Sequence, residues 1–143
     1  MTEQTGPELK GKVAIVTGAG RMRGIGRGTA TVIARMGAHV VVTGTGRDPV
    51  SFPQDEKDAG WRDIYSTAEQ IETFGVSALP LISNVADQDD VHKMIEATLV
   101  EFGRLDIIVN NAAAPYGNDR VSVMDMQTDI FKSIVDVKLM GTF

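Results

Sequence analysis

Residues 12–26 read KVAIVTGAGRMRGIG, and this stretch decides the fold. Val13–Val16 are apolar without alternation, which is typical of a strand that is buried on both faces. A glycine-rich turn follows, and a helix is predicted to begin near Gly24. Glycines let the main chain bend sharply and approach a ligand, while the unpaired N–H groups of a helix start attract an anion. The stretch therefore predicts a turn that binds an anion, most often the pyrophosphate of a dinucleotide.

The residues after the turn supply the context that this prediction needs. Gly37 ends the predicted helix, and residues 40–42 supply a second, β-branched strand. A strand–helix–strand unit of about 30 residues is the setting in which spaced glycines indicate dinucleotide binding. Apolar residues recur at helical spacing and predict the helix face that packs on the sheet: Ile25, Thr29, Val32, Ile33 and Met36.

Strands and helices continue to alternate along the rest of the chain. A polar surface excursion is predicted over residues 44–60, followed by a helix that ends at Gly75. Further strands are predicted at residues 78–83 and 105–109, and Asp87 is predicted to cap the helix between them. This alternation predicts an α/β fold with a parallel, doubly wound sheet and right-handed crossovers.

The edges of the predicted sheet can also be assigned. Pro80 has no N–H, which favours an edge position for the third strand. A last helix is predicted from near Met126, after a loop at residues 110–120. The fourth strand is apolar, and at an open edge it offers a template for pairing with another chain. If the protein is only 143 residues long, we therefore expect a homo-oligomer rather than a dilute monomer.

Composition narrows the class of protein. The 143 residues suffice for a single dinucleotide-binding domain, residues 1–143, and the net charge of −5 argues against nucleic-acid binding. Without cysteine there are no disulfides or thiolate ligands, and no His, Asp and Glu cluster has metal-ligand spacing. The first residues lack the apolar core of a signal peptide, and no apolar run is long enough to span a bilayer. We expect a cytoplasmic protein with neither a metal nor a membrane partner.

Over residues 10–143 the chain resembles the N-terminal part of an NAD(P)-dependent short-chain dehydrogenase/reductase. The segments that carry the resemblance come in order and at suitable spacing: residues 17–26, Asn84 with Val85, residues 106–112 and residues 137–143. The resemblance implies a Rossmann-like sheet with strand order 3-2-1-4, incomplete on its C-terminal side. It also implies the cofactor contacts: pyrophosphate on the turn with Gly18, Gly20, Arg21, Gly24, Ile25 and Gly26, adenine against Asn84 and Val85, and ribose near Asn110, Asn111 and Ala112.

The bound dinucleotide is predicted to be NADP(H) rather than NAD(H). An NAD site usually has an acid just after the second strand, and Gly44 and Thr45 stand there instead. Arg23, with Arg47 in the following loop, is available to meet a 2′-phosphate. Positive charge at a helix start opposes the helix dipole, so an anionic ligand is the natural compensation for Arg21, Arg23 and Arg27.

Three departures from the family pattern bear on function. Five residues, 19–23, separate the Thr17-Gly18 pair from the Gly24-Ile25-Gly26 motif, whereas the family usually has three residues there. Either the loop is longer, or Gly20 takes the place of the first glycine. Lys138 stands where the family has its catalytic asparagine. The family's strand-five serine and its Tyr-x-x-x-Lys pair are missing: Tyr65 is followed by Glu69, and Tyr116 by Arg120.

The resemblance implies an oxidoreductase that interconverts a ketone and a secondary alcohol, with the hydride chemistry supplied by the cofactor. Because the family's tyrosine, lysine and serine have no counterpart in these residues, the 143-residue chain alone is expected to be inactive. Two alternatives remain open. One is a catalytically silent module that binds NADP(H), and the other is a non-functional fragment.

Overall fold

A computed structural model describes residues 8–114, 117 and 119–143 of the chain. The predictions for the first seven residues and for Tyr116 lie outside these residues. The described strands are all parallel and form a sheet of order β3-β2-β1-β4, which confirms the predicted order 3-2-1-4. They are β1 (Val13–Val16), β2 (His39–Gly44), β3 (Ala78–Ile82) and β4 (Ile107–Val109).

Helices cover both faces of this sheet. One face packs against α1 and α3, and the other packs against α4 through Ile15, Val41 and Met94. This arrangement explains the unbroken apolar run of β1, since successive side chains point into two different cores. The helices are α1 (Ile25–Arg35), α2 (Gln54–Asp58), α3 (Ile64–Glu72), α4 (Gln88–Phe102) and α5 (Thr128–Val135), with a 3₁₀ turn at Pro49–Ser51 and a π-helical turn at Asp136–Met140.

The buried face of α1 differs from the predicted one. Ile25 and Val32 are 82% and 55% exposed, and Ile33 alone of the five predicted positions is buried. The prediction was wrong because it followed the large apolar residues, whereas this helix lies against the sheet through small ones. The residues that α1 buries are Gly26, Ala30, Ile33 and Ala34.

Local signals placed most other element ends correctly. The Asp87 carboxylate accepts hydrogen bonds from two N–H groups of the first turn of α4, and Gly103 ends that helix with a φ of +72°. Pro80 pairs with Val42 on the edge strand β3, as predicted. The predicted fourth strand began too early, since β4 begins at Ile107, and the last helix begins at Thr128 rather than near Met126. Within the described residues, no helix is both long and apolar enough to cross a membrane.

Asp106 links the start of β4 to the start of β1. Its Oδ2 accepts the Val13 N–H at 2.9 Å, and Arg104 donates to both of its carboxylate oxygens. The hydrogen bonds from Arg104, followed by the one from Val13, lower the pKa of Asp106 from 3.8 to about 2. The Asp106 N–H also donates to the Val13 carbonyl oxygen at 3.0 Å, so backbone contact with β1 begins one residue before β4.

The low pKa of Asp106 predicts an acid-sensitive contribution to stability. The contribution is present above the unfolded-state pKa, near pH 4, and is lost as the pH falls toward the folded-state value of about 2. We therefore expect the melting temperature of an Asp106→Asn variant to fall less between pH 4 and pH 2 than that of the unmodified chain. Thermal unfolding by circular dichroism across this range measures the difference, and parallel losses in the two proteins would contradict the prediction.

Candidate dinucleotide site

The loops that follow the strands meet at one edge of the sheet. Because the strands are parallel, the turn after β1, Thr45 after β2, Asn84 after β3 and Asn110 after β4 all lie at the carboxyl edge. The strand order reverses between β1 and β4, and ligands of open α/β sheets bind at such a switch point. The fold thus brings the predicted site residues to the edge where a ligand is expected.

Thr17 joins the ends of β1 and β4. Its Oγ1 accepts hydrogen bonds from the N–H groups of Asn111 and Ala112, at 3.1 and 3.0 Å, and donates to the Val109 carbonyl oxygen. The Asn111 side-chain amide donates back to the carbonyl oxygens of Thr17 and Gly18. This network holds Asn111 and Ala112 against the glycine-rich turn. Thr17 belongs to the segment that carries the family resemblance, but it was not among the predicted site residues.

Two of the predicted glycines lie where a side chain has no room. Gly18 has a φ of +68°, and a Cβ there would lie 2.8 Å from the Ala112 Cα. A Cβ on Gly26 would overlap the Asn111 amide nitrogen and would lie 2.7 Å from the Gly18 carbonyl oxygen. These glycines therefore bring the first turn of α1 into contact with the loop after β4.

The start of α1 carries no capping side chain. Gly24 is its N-cap residue, and the Gly24 N–H bonds to the Arg21 carbonyl oxygen at 3.0 Å. The first N–H groups of a helix have no partner within the helix, and at the start of α1 no side chain caps them either. They lie beside the glycine-rich turn. Ile25, a predicted cofactor contact, lies exposed at this end. An uncapped helix start that faces a glycine-rich turn fits a phosphate group.

The predicted surface excursion packs against the glycine-rich turn instead of running free over the surface. Glu56 and Asp63 are buried. Glu56 Oε1 accepts the Met22 N–H at 2.8 Å, and the Trp61 indole N–H donates to the Gly20 carbonyl oxygen at 2.6 Å. The long glycine loop therefore bonds to this segment. Sequence reasoning missed these contacts because their partners lie 34 and 41 residues apart.

The geometry also bears on the two alternatives for the glycine loop. Gly18 is the glycine that touches the loop after β4, while Gly20 faces the side chain of Asp63. The Thr67 hydroxyl, from α3, donates to the Ala19 carbonyl oxygen at 2.8 Å. Gly18 thus keeps the first position of the motif, and the extra residues form an extension that is held by α3 and by the segment before it.

The two arginines predicted to meet a 2′-phosphate already have carboxylate partners. Arg47 donates through Nε and Nη2 to Asp63 Oδ1, at 3.1 and 2.8 Å, and through Nη1 to Glu56 Oε2 at 3.0 Å. Burial alone would lower the pKa of Arg47, but the hydrogen bonds to Asp63 and Glu56 outweigh it and raise that pKa. Arg23 pairs with Asp55 at 2.9 Å on the surface.

The remaining predicted residues lie toward β3 and the last helix. The Asn84 side chain accepts the Ala86 N–H at 3.1 Å, which holds the turn after β3. Val85 lies against Gly141, the residue after the π-helical turn, since a Cβ on Gly141 would lie 2.8 Å from the Val85 Cγ2. Lys138 is exposed in that turn. The turn after β3 is thereby joined to the end of the described chain.

A parallel sheet with a glycine-rich turn and an uncapped helix at its switch point defines a nucleotide-binding α/β protein. The family model for short chain dehydrogenases matches residues 12–143. The chain therefore belongs to the short-chain dehydrogenase family. Proteins of this family are oxidoreductases that bind a nicotinamide dinucleotide.

Individual relatives support the same assignment. An L-rhamnose 1-dehydrogenase (NAD(P)(+)) from Azotobacter vinelandii is 37% identical over 133 residues, which cover 92% of this chain and 46% of the relative. Human hydroxysteroid dehydrogenase-like protein 2 is 34% identical over 143 residues, which cover 100% of this chain and 31% of that protein. The crystal structure of a short chain dehydrogenase from Mycobacterium paratuberculosis bound to NAD has a TM-score of 0.75 at 27% identity, covering 94% of this chain and 48% of that one. The chain spans about half the length of these proteins or less.

Proposed function

We propose that this chain is the cofactor-binding part of an oxidoreductase that interconverts a ketone and a secondary alcohol. The observation that carries the proposal is the uncapped start of α1, which lies beside Gly18 at the switch point of the sheet. A nicotinamide dinucleotide supplies the hydride chemistry when it is bound. The residues described here would hold its phosphates and its adenosine end.

Each part of the site has a role in this proposal. The first N–H groups of α1 and the glycine-rich turn offer donors to the pyrophosphate. The hydrogen bonds of Thr17 to Asn111 and Ala112 hold the loop after β4 in place beside the ribose. Asn84 and Val85 are assigned to the adenine side. Since these groups are already held by protein contacts, binding requires little rearrangement of the site.

The finer assignment of NADP(H) over NAD(H) stays a prediction. It is supported by the absence of an acid at Gly44 and by the presence of Arg23 and Arg47 near the turn. The carboxylate partners of both arginines count against it, because a 2′-phosphate would have to compete with them.

A catalytically silent nucleotide-binding module is the second candidate. Lys138 at the family's asparagine position favours it, because a cation would perturb a proton relay that passes through a neutral amide. Tyr65 does not replace the family's tyrosine, since Glu69 occupies the position where a lysine would be needed. The extended protein described next distinguishes this candidate from an enzyme.

We expect the 143-residue chain to bind a nicotinamide dinucleotide only weakly in calorimetric titration and to oxidise neither NADH nor NADPH with a panel of ketones. A version extended through the family's Tyr-x-x-x-Lys should bind and turn over. Absence of binding in both versions would contradict the proposal, while binding without turnover by the extended version would favour the silent module. Turnover by the short chain that vanishes in a Lys138→Ala variant would indicate a different catalytic design.

Self-association and a cytoplasmic location also stay predictions. Among the described strands β4 forms one edge of the sheet, and its Ile108 side chain is half exposed. Phe131 and Leu139, near the end of the chain, are exposed as well. An open strand edge and exposed apolar side chains each support pairing with a second copy.

A further inference from the structure

We propose that Asp63 determines the choice of dinucleotide, and that its carboxylate makes this site prefer NAD(H) to NADP(H). In this proposal Asp63 supplies, from the start of α3, the acid that the end of β2 lacks. The inference rests on the proposed function and opposes the preference predicted from the sequence. It is argued from the position of the Asp63 carboxylate, from its hydrogen bonds and from the charge of its neighbours.

The Asp63 carboxylate lies between the glycine-rich turn and the end of β2. A Cβ on Gly20 would overlap Asp63 Oδ1, and a Cβ on Gly44 would lie 3.7 Å from Asp63 Oδ2. The carboxylate therefore reaches the space that a side chain at position 44 would enter. In NAD sites an acid after the second strand accepts a hydrogen bond from the ribose 2′-hydroxyl.

One oxygen of this carboxylate is available to a ligand. Oδ1 accepts both hydrogen bonds from Arg47, whereas Oδ2 receives none from any residue that the structure describes. The Asp63 side chain is only 9% exposed, so solvent reaches this carboxylate over a small area. A hydroxyl donor would satisfy it. There is room beside it, since Asp63 and Arg47 line a cleft of about 600 Å³ that reaches Ile82 at the end of β3.

The backbone of Asp63 is strained as well. Its φ of +57° is the only positive value among the non-glycine residues that the structure describes. Residues other than glycine rarely adopt a positive φ. Such conformations cluster at binding sites, where surrounding contacts impose them. At Asp63 the contacts are those with Arg47 and the close approach to Gly20. These contacts hold the carboxylate beside the turn.

The charge balance of the cluster disfavours a 2′-phosphate. Arg47 carries one positive charge against the two carboxylates of Glu56 and Asp63, which leaves one negative charge. Two further cations line the same cleft, Lys57 and Arg62, but both are exposed, so water and salt screen their charges. A 2′-phosphate would therefore face an acid whose guanidinium partner is already occupied. The neutral 2′-hydroxyl of NAD(H) meets no such repulsion.

Calorimetric titration of the unmodified chain with NAD⁺ and NADP⁺ is the first test. We expect NAD⁺ to bind at least about tenfold more tightly, as one hydrogen bond to a charged group provides. An Asp63→Asn variant keeps the size of the side chain and removes its charge. In this variant the ratio of the two dissociation constants should shift toward NADP⁺ by about tenfold or more.

Glu56→Gln is the matched control. It removes the same charge from the same arginine, but its oxygens face Arg47 and the Met22 N–H rather than Gly44. Because it lowers the negative charge of the cluster but leaves the acceptor beside Gly44, we expect it to shift the ratio toward NADP⁺ clearly less than Asp63→Asn does. Circular dichroism melting verifies that both variants are folded. The ratio of the two dissociation constants in the unmodified chain tests the proposal even if a variant fails to fold.

The outcomes separate the two proposals. Tighter binding of NADP⁺ by the unmodified chain, or an unchanged ratio in a folded Asp63→Asn variant, would overturn the role of Asp63 and leave the proposed function intact. A ratio that shifts equally in Glu56→Gln would overturn it too, because the effect would then belong to the charge of the cluster. If neither dinucleotide binds, both proposals fail.

Discussion

Replacing Arg47 by methionine is expected to lower the free energy of unfolding by about 3–5 kcal/mol. Its guanidinium lies between the carboxylates of Glu56 and Asp63, whose side chains are only 4% and 9% exposed. Without it, two buried carboxylates face each other with no cation between them. Methionine keeps an apolar contact with Phe52, over whose ring Arg47 now lies. The loss is therefore electrostatic, and urea unfolding at neutral pH measures it.

Arg62→Met provides the matched control for this prediction. Arg62 also pairs with a carboxylate, but its side chain and that of Glu69 are 59% and 62% exposed. Exposed ion pairs contribute about 0–1 kcal/mol because water and salt screen them. Similar losses in the two variants would show that the Glu56–Arg47–Asp63 cluster behaves as a surface ion pair in solution.

The second large effect is expected at Gly26, where alanine should lower the free energy of unfolding by about 1–3 kcal/mol. The added Cβ would overlap the Asn111 amide and would lie 2.7 Å from the Gly18 carbonyl oxygen and 3.0 Å from the Ala19 Cα. Two of these neighbours are backbone atoms, so the turn itself must move. Because the turn is the proposed pyrophosphate site, dinucleotide binding should weaken as well.

Gly28→Ala serves as the control, two positions further along the same helix. Nothing lies within 4 Å of a Cβ at Gly28, and the residue is exposed. Alanine there should stabilise the protein by about 0.5–1 kcal/mol, since it favours the helix. In Gly26→Ala we therefore expect urea unfolding to show lower stability and calorimetry to show weaker dinucleotide binding. Neither loss is expected in Gly28→Ala. A neutral Gly26→Ala would mean that the turn has room for a side chain.

Much of the fold could be predicted because its signals are local. The unbroken apolar run of β1, the Asp87 cap and the glycine that ends α4 each act within a few residues along the chain. Pro80 indicated an edge strand for the same reason, since a missing N–H has the same consequence in any sheet. The strand order came from the family resemblance, and the structure confirms it.

The face of α1 shows where local reasoning failed. A helical pattern of large apolar residues normally marks the buried side, but Ile25 and Val32 are exposed here. The distance between α1 and the sheet decides the matter, and small residues such as Gly26 and Ala30 set that distance. Such a distance is a property of two packed elements and cannot be read from one of them.

For the site, the sequence by itself determined which loops meet at the carboxyl edge and that a glycine-rich turn precedes a helix there. Only the tertiary structure decided how that turn is held. Glu56, Trp61 and Asp63 reach it from a polar segment that carried no local signal, and Arg47 turned out to be paired with acids rather than free. The physical reason is that hydrogen bonds and ion pairs between residues far apart in the chain depend on where the folded backbone places them, while residue type and spacing report only on neighbours.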